Sequence, residues 1–267
     1  MSKLHFDYYM LITYAEAVSI CHFTIKCIPQ DTERQKISNL KIELLPQPEY
    51  SEGKDSFGNA QIYGCVGEPH EMFSFRITGE AQLGPIYYEE VMTPEMAGHG
   101  TLIFRNPYGL NKPGDRLKEY FHSIDLDENR KAYDKCILLM HRLYQDYTYE
   151  KNCTTLTTTA EEAWTIGKGV CQDYAHILIA LLHMAHIPAR YVTGMLIGEG
   201  ASHAWVEAYC DGIWYGLDPT NNVCVTDSHI RIGTGRDASD CQINRGVMRG
   251  GGSQTQTIHV VVEEIPE

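Results

Sequence analysis

Apolar and polar residues alternate with a period of two in the first part of the chain. Residues 20–28 place cysteine, phenylalanine and isoleucine side chains on one side and polar side chains on the other. The alternation returns at residues 40–44 and 73–77, and turn-forming residues separate these segments. Because successive side chains of a strand point to opposite faces, the pattern predicts short strands joined by turns. We expect an N-terminal β-sandwich over residues 1–110.

The pattern changes to a helical period after residues 106–114, which contain several Pro and Gly residues. Apolar residues between 132 and 147 recur at spacings of three and four, which is typical of an amphipathic helix. Thr159 and Glu162 have the spacing of a capping box and predict a short helix that begins there. The most apolar segment, residues 171–187, predicts a buried helix that the following proline ends.

Three strands are predicted after the buried helix, at residues 189–197, 203–210 and 213–217. The Asp-Gly dipeptide at 211–212 joins the last two, and this dipeptide is preferred in two-residue type I′ hairpin turns. A tail strand at 257–262 is expected to close the second domain. The pattern as a whole predicts helices followed by strands in a second domain over residues 111–267.

Cys171 is the first residue that suggests chemistry. It lies in the predicted first turn of the buried helix, just after Gly167 and Gly169. The N-terminus of a helix carries about half a positive charge, which favours a thiolate over a thiol. Neighbouring glycines let backbone approach closely, as a nucleophile and its oxyanion site require. The alternative interpretation is a buried structural cysteine.

The predicted hairpin brings a histidine and an aspartate together. If its turn has two residues, Asp218 lies opposite Trp205. His203 and Asp218 then project from the same face as diagonal neighbours, close enough for the carboxylate to orient the imidazole. A slip of one residue in the register would place them on opposite faces. Taken singly, His203 also fits an ordinary sheet histidine, and Asp218 fits an Asx-turn.

The three residues together meet the needs of acyl transfer through a thiol. A thiolate attacks an acyl carbon, and a histidine takes up the thiol proton and returns it to the leaving group. An aspartate fixes the tautomer of the histidine and stabilises its imidazolium form. Cys171, His203 and Asp218 are therefore the predicted catalytic residues, and backbone N–H groups near Cys171 are the natural oxyanion donors.

The sequence around these residues resembles the bacterial transglutaminase-like superfamily. The resemblance rests on GKGVCQDYAH (167–176), IPARYVTG (187–194), SHAWVEAY (202–209) and WYGLDPTN (214–221). It implies an α+β fold with a papain-like, transglutaminase-like core, in which the helix that bears Cys171 packs on an antiparallel sheet. It also implies a Cys-His-Asp triad in this core, in which Cys171, His203 and Asp218 fall on the nucleophile, the base and the orienting acid. It also implies a cysteine peptidase or amidase, or in some members transamidation.

The resemblance extends in both directions along the chain. DSFGN (55–59) and Pro69-His70 are similar to the β-rich N-terminal domain that accompanies this core in bacteria. GRDASD (235–240) and RGVMRGG (245–251) are similar to the C-terminal part of the core. Nearly the whole chain is therefore covered, whereas the substrate is not implied by the fold.

Composition narrows the expected partners. The 22 basic and 35 acidic residues give a net charge of −13, which repels phosphate backbones and anionic lipids. We expect a peptide or another amide-bearing substrate, and neither nucleic acid nor a membrane surface. The nine cysteines contain no Cys-x-x-Cys pair, and the first residues lack the pattern of a secretory signal. Both observations predict a cytoplasmic protein.

Several other groups receive structural interpretations. His183 and His186 have a spacing that metal ligands use, but no carboxylate or cysteine completes the set in the same turn. Neither a metal nor a cofactor is expected. Glycines 250–252 lack the flanks of a phosphate-binding loop and are interpreted as a hairpin tip. Arg236 and Asp237 are interpreted as a loop salt bridge rather than as residues of the cleft.

Three further side chains near the candidate site are given alternatives. Trp164 and Trp205 either form walls of the cleft or pack in the core, which is the commoner place for tryptophan. Glu207 shares the face of His203 and is expected to be solvated.

The leading hypothesis is a cytoplasmic thiol hydrolase that cleaves amide bonds through an acyl-enzyme on Cys171. Acyl transfer to an amine would use the same residues, and a binding or scaffolding protein would retain the fold without turnover. Metal-dependent hydrolysis through His183 and His186 would be lost to chelators, whereas we expect chelators to have no effect.

Overall fold

The computed structural model of the protein describes residues 2–84 and 101–266, so residues 1 and 85–100 of the predicted N-terminal domain lie outside the described part. The described strands are β1 (Lys3–Ile25), β2 (Gln35–Leu45), β3 (Glu49–Lys54), β4 (Ala60–Val66), β5 (His70–Leu83), β6 (Thr148–Tyr149), β7 (Lys168–Gly169), β8 (Ala189–Leu196), β9 (Gly198–Gly200), β10 (His203–Cys210), β11 (Ile213–Asp218), β12 (Val223–Cys224), β13 (His229–Gly235), β14 (Asn244–Gly250) and β15 (Gln254–Glu264).

The described helices are α1 (Asp115–Ser123), α2 (Ala132–Asp146), α3 (Ala160–Ile166) and α4 (Cys171–Met184), with short 3-10 helices at Leu102–Phe104 and Gly109–Asn111. The fold is α+β with a predominance of strands. Among these helices, none has the combination of length and hydropathy needed to span a bilayer.

β1 is the central strand of the N-terminal sheet. Buried and exposed side chains alternate along much of its 23 residues. Its first half pairs with β5 and β15, and its second half pairs with β4 and β14, all antiparallel. Hydrogen bonds thus join these strands, with β2, β3 and β9, into one curled sheet. Within residues 2–84 and 101–266 the strands form this one sheet rather than the two sheets of the predicted sandwich, because β1 continues through both halves past an irregularity between Thr13 and Val18.

The C-terminal strands return to this N-terminal sheet. β14 and β15 lie one after the other along β1, so the prediction that the strand at 257–262 closes the second domain is wrong. Glycines 250–252 are not a hairpin tip either. They form a bend between the two strands, and all three have positive φ, which glycine adopts without strain. Val260 and Val262 are buried in the N-terminal core, and a period of two does not specify which sheet receives a strand.

The second sheet is antiparallel, in the order β12-β11-β10-β8-β13. β10 and β11 form the predicted hairpin. Asp211 and Gly212 have φ of 51° and 92°, and a type I′ turn requires positive φ at both central residues. The register runs from Cys210 opposite Ile213 to Val206 opposite Leu217, as predicted for a two-residue turn.

Helix α4 packs on β8 and β10 on one side and against α2 and α3 on the other. Nearly all its side chains are buried, which confirms the buried helix predicted from the apolar segment. The predicted capping box is present at α3, where Thr159 and Glu162 bond each other's backbone N–H. α4 ends at Met184, earlier than predicted, and His186 just beyond it has a φ of 60°.

The two sheets share a core. Met195 on β8 and Ile230 and Ile232 on β13 are buried among the side chains of the N-terminal sheet. β9, in the connection between β8 and β10, pairs with β15. The second sheet therefore packs between α4 and the N-terminal sheet.

Candidate active site

Cys171 is the first residue of α4 and is half-buried. The chain before it passes through Gly169, where a Cβ would collide with the Tyr147 hydroxyl and the Asp173 carboxylate. Asp173 accepts a hydrogen bond of 2.8 Å from the backbone N–H of Val170, which caps the start of the helix. The local sequence thus places the thiol at the positive end of a buried helix.

The hairpin brings His203 and Asp218 into direct contact. His203 begins β10, Asp218 ends β11, and the distance from His203 Nε2 to Asp218 Oδ2 is 2.8 Å. The predicted placement of the two side chains on one face is confirmed. The Asp218 side chain is fully buried, so the imidazole contacts a carboxylate that is removed from solvent.

Each oxygen of the Asp218 carboxylate has its own set of donors. Oδ1 accepts hydrogen bonds from the backbone N–H groups of Thr220 (3.0 Å) and Asn221 (3.2 Å), and the first of these forms the Asx-turn. Oδ2 accepts hydrogen bonds from His203 and from the Asn221 amide (2.7 Å). The Asx-turn and the imidazole contact therefore coexist on different oxygens of one side chain.

These contacts set the protonation of the pair. Burial by itself would raise the pKa of Asp218, but hydrogen bonds from His203, His229 and Asn221 outweigh it and hold the pKa well below its ordinary value. Burial would likewise lower the pKa of His203. Hydrogen bonds with Asp218 and Cys171 outweigh that effect and raise the pKa of His203 to about 10. An anionic Asp218 beside a protonated His203 is the arrangement that results.

His229 is a residue of this site that the sequence analysis missed. It begins β13, is buried, and places Nε2 3.1 Å from Asp218 Oδ2, the oxygen that also contacts His203. Residues 229–232 alternate polar and apolar side chains, which would have predicted the strand. No local pattern shows that β13 pairs with β8 or that its first residue reaches Asp218.

The same three side chains are the types that a divalent metal uses. His203, Asp218 and His229 bring nitrogen and oxygen atoms within 4.8 Å of one another. The Nε2 atoms of His203 and His229 lie 2.8 and 3.1 Å from the same oxygen, Oδ2 of Asp218. These are hydrogen-bond distances, as expected for two N–H donors that share one acceptor. Of the pair considered from sequence, His183 Nε2 lies 2.9 Å from the carbonyl oxygen of Phe104, and His186 is exposed.

Arg236 and Asp237 are both engaged in the loop that follows β13. Arg236 bonds Asp240 at 2.8 Å and lies 3.4 Å from the centroid of the Tyr108 ring. Asp237 accepts hydrogen bonds from the backbone N–H groups of Leu110 and Ser239 (both 2.9 Å). Arg236 therefore forms a loop salt bridge, but with Asp240, and the interpreted pairing of Arg236 with Asp237 is wrong.

Glu207 is not solvated as expected. Its side chain is 2% exposed and lies 2.7 Å from Arg190 and 3.4 Å from Arg231. The reason is that β10 is the central strand of the second sheet, where a side chain on either face is covered by neighbouring elements.

The two tryptophans occupy different environments. Trp205 is buried and meets the His229 ring edge-on, with centroids 5.4 Å apart. Trp164 is partly buried and packs on Tyr120, with centroids 4.0 Å apart. Trp205 therefore packs against the histidine rings next to Asp218. Trp164 packs between helices α1 and α3.

Two family models match the chain. The Transglutaminase-like superfamily core matches residues 123–219, which include all three predicted catalytic residues. The Bacterial transglutaminase-like N-terminal region matches residues 5–82, which include β2 to β4 and most of β1 and β5.

Known proteins resemble the chain over most of its length or over part of it. An uncharacterized protein of Mycobacterium tuberculosis is 29% identical, over 95% of this chain and 89% of that protein. An uncharacterized protein of Mycobacterium leprae is 42% identical over 36% of this chain and 37% of that protein. A crystal structure of a "Putative Cysteine Protease" from Cytophaga hutchinsonii covers 100% of this chain and 92% of that chain, with a TM-score of 0.78 and 24% identity.

The fold and the sequence matches agree with the geometry of the site. The matched residues 123–219 include helix α4 and the β10–β11 hairpin, which carry Cys171, His203 and Asp218. The N-terminal match falls on the sheet that encloses the other face of that core. The chain therefore contains a transglutaminase-like superfamily core, preceded by a bacterial transglutaminase-like N-terminal region.

Proposed function

We propose that the protein is a thiol-dependent hydrolase of amide or peptide bonds that acts through an acyl-enzyme on Cys171. The observation that supports this most directly is the charge arrangement around His203. Its imidazole contacts the buried Asp218 carboxylate at 2.8 Å, and both Asp218 and Cys171 favour its protonated form. An imidazolium beside a thiol at a helix N-terminus stabilises the thiolate nucleophile.

In the proposed reaction the Cys171 thiolate attacks the carbonyl carbon of an amide and forms a tetrahedral oxyanion. Backbone N–H groups in the first turn of α4 are the candidate donors to that oxyanion. The protonated His203 gives its proton to the departing amine as the C–N bond breaks. His203 then takes a proton from water, which attacks the thioester and releases the acid.

Asp218 contributes orientation and charge in this scheme. Its Oδ2 contacts Nε2 of His203, which leaves Nδ1 of the same ring for the thiol. Backbone N–H groups of Thr220 and Asn221 hold Oδ1, so rotation of the carboxylate away from His203 would break these hydrogen bonds. The imidazole is thereby kept in one orientation through both proton transfers.

The test is the pH dependence of iodoacetamide labelling, measured at each cysteine by mass spectrometry in the native protein and in His203→Ala. We expect Cys171 to label fastest of the nine cysteines at pH values well below about 8.5, and His203→Ala to remove that advantage. Cys153 is a control within the same protein, because it is also half-buried and bonds only backbone carbonyls of Glu150 and Lys168 among the contacts described.

Equal labelling of Cys171 and Cys153 at every pH would contradict the proposal and favour a scaffold that keeps the fold without turnover. A poised Cys171 would justify a screen of amide substrates with and without a primary amine. Products in which the amine exceeds water as acceptor would replace hydrolysis with transamidation.

A further inference from the structure

His229 shares one carboxylate oxygen with the predicted catalytic base. Its Nε2 lies 3.1 Å from Asp218 Oδ2, and Nε2 of His203 lies 2.8 Å from the same atom. His229 is 2% exposed and comes from β13, at the opposite edge of the sheet from the β11–β12 pair. A buried imidazole placed on the orienting carboxylate adds a fourth polar side chain to the group formed by Cys171, His203 and Asp218.

The tautomer of His229 follows from its other nitrogen. The backbone N–H of Thr226 can only donate, and it points at Nδ1 of His229 from 3.4 Å. The Ser228 hydroxyl lies 3.2 Å from the same nitrogen. Nδ1 is therefore the acceptor, and the proton of the neutral ring is on Nε2, where it is directed at Asp218.

Burial favours the neutral form of His229 in the folded protein. Burial lowers its pKa, and this effect outweighs the opposing influence of Asp218; His203 and Arg34 add to the lowering. These three are the charged groups that face the His229 ring from β11, from β10 and from the segment before β2. His229 thus presents the positive end of an N–H dipole to Asp218 rather than a full positive charge.

The N-terminal sheet holds His229 in place. Arg34 donates hydrogen bonds to the backbone carbonyls of His229 (3.3 Å) and Thr226. Gln35 donates to the carbonyl of Arg231 and accepts from its N–H, at 2.8 and 2.9 Å. The start of β13 is therefore fastened to a region far from the triad in sequence.

We propose that His229 is a positioning residue for the Asp218–His203 pair, which orients the carboxylate and shares its negative charge. The proposal rests on the proposed function, since it concerns how the same nucleophile is kept reactive. Without the His229 N–H, Oδ2 would carry more negative potential toward His203 and Cys171. More negative potential favours a protonated thiol, so Cys171 would become reactive only at higher pH.

The test compares His229→Leu with His229→Gln by the pH profile of Cys171 alkylation with iodoacetamide. Glutamine places a side-chain N–H at about the distance of Nε2, whereas leucine fills the space without a donor. We expect alkylation of Cys171 at pH 6 to slow about threefold in His229→Leu, which corresponds to an upward shift of about half a pH unit. The rate at high pH should remain unchanged, and His229→Gln should stay within about twofold of the native rate.

His183→Leu is the matched control. It removes another buried histidine, one that contacts the Phe104 carbonyl rather than Asp218, and it reports the effect of a lost imidazole alone. Equal profiles for His229→Leu and His183→Leu would overturn the proposal, as would a shift in His229→Gln as large as in His229→Leu. Failure of the proposed function is a separate result, because native Cys171 would then label no faster than Cys153.

Discussion

The two sheets of the protein are assembled in different ways. The second sheet uses residues 189–235, and its central hairpin is closed by a turn of two residues. The N-terminal sheet joins strands from both ends of the chain, because β1 lies between β5 on one edge and β15 on the other. One sheet is built mainly from neighbours in sequence, and the other depends on residues separated by more than two hundred positions.

The residues of the candidate site are therefore positioned by two different parts of the molecule. His203 and Asp218 are brought together by the hairpin itself. The backbone of β13 at His229, in contrast, is held by hydrogen bonds from the segment at the start of β2 in the N-terminal sheet. Met195, Ile230 and Ile232 connect the two sheets through a common core. We infer that perturbing the N-terminal sheet affects the candidate site through β13 and leaves the hairpin register intact.

The largest effect is expected from a charge introduced into the last strand, which tests whether the second sheet depends on the N-terminal sheet. Val260 on β15 is 2% exposed in the N-terminal core, so Val260→Asp should lower the free energy of unfolding by about 3–5 kcal/mol. Urea denaturation followed by tryptophan fluorescence measures this loss. All three tryptophans lie outside the N-terminal sheet, so the signal reports whether the rest of the protein unfolds together with that sheet. Thr257→Asp, on an exposed position of the same strand, is the control and should change stability little. Normal tryptophan signals in Val260→Asp would show that the second sheet is stable without the first.

A second test addresses the carboxylate at the junction of the two regions. Asp218→Asn should lower the free energy of unfolding at pH 7 by about 1–3 kcal/mol, because donors to a buried charge lose their acceptor. The pKa of Asp218 is held below its ordinary value of 3.8, so this contribution is complete above pH 3.8 and is lost as the pH falls through the folded-state pKa.

The difference between native protein and Asp218→Asn should therefore be largest near pH 5 and should shrink below about pH 4 as Asp218 is protonated. It should also shrink as the pH rises above about 6.5, because the pKa of His203 is raised to about 10 through its contact with Asp218. Denaturant titrations of both proteins across this range measure it. A difference that stays constant down to about pH 2 would mean that Asp218 does not titrate differently in the folded and unfolded states.

The smallest change in stability is expected for a substitution in the turn of the β10–β11 hairpin. Gly212 has a φ of 92° and open space where a Cβ would be, so Gly212→Ala adds backbone strain without a collision. We expect a loss of about 1–2 kcal/mol in the free energy of unfolding. Gly67→Ala is the matched control, since Gly67 also has open space but lacks positive φ. Equal stabilities of the two variants would contradict the type I′ geometry of the turn.

The site shows which of its parts could be predicted from sequence. The capping box at α3 and the Asp-Gly turn are local signals, and each predicted its feature correctly. His229 and the buried state of Glu207 were not predicted. Both depend on β13 pairing with β8 and on the central place of β10, which are contacts between strands distant in sequence.

Features that depend on interactions within a few residues could be predicted from the sequence. These are the buried helix that begins at Cys171, the hairpin register and the common face of His203 and Asp218. Only the tertiary structure decided which sheet receives the tail strand, that β1 unites the N-terminal strands in one sheet, and that a second imidazole reaches Asp218. The physical reason is that capping, turn conformation and side-chain period act locally. A strand's apolar face, in contrast, is compatible with any complementary core, and the chain selects the partner only when the whole core is buried.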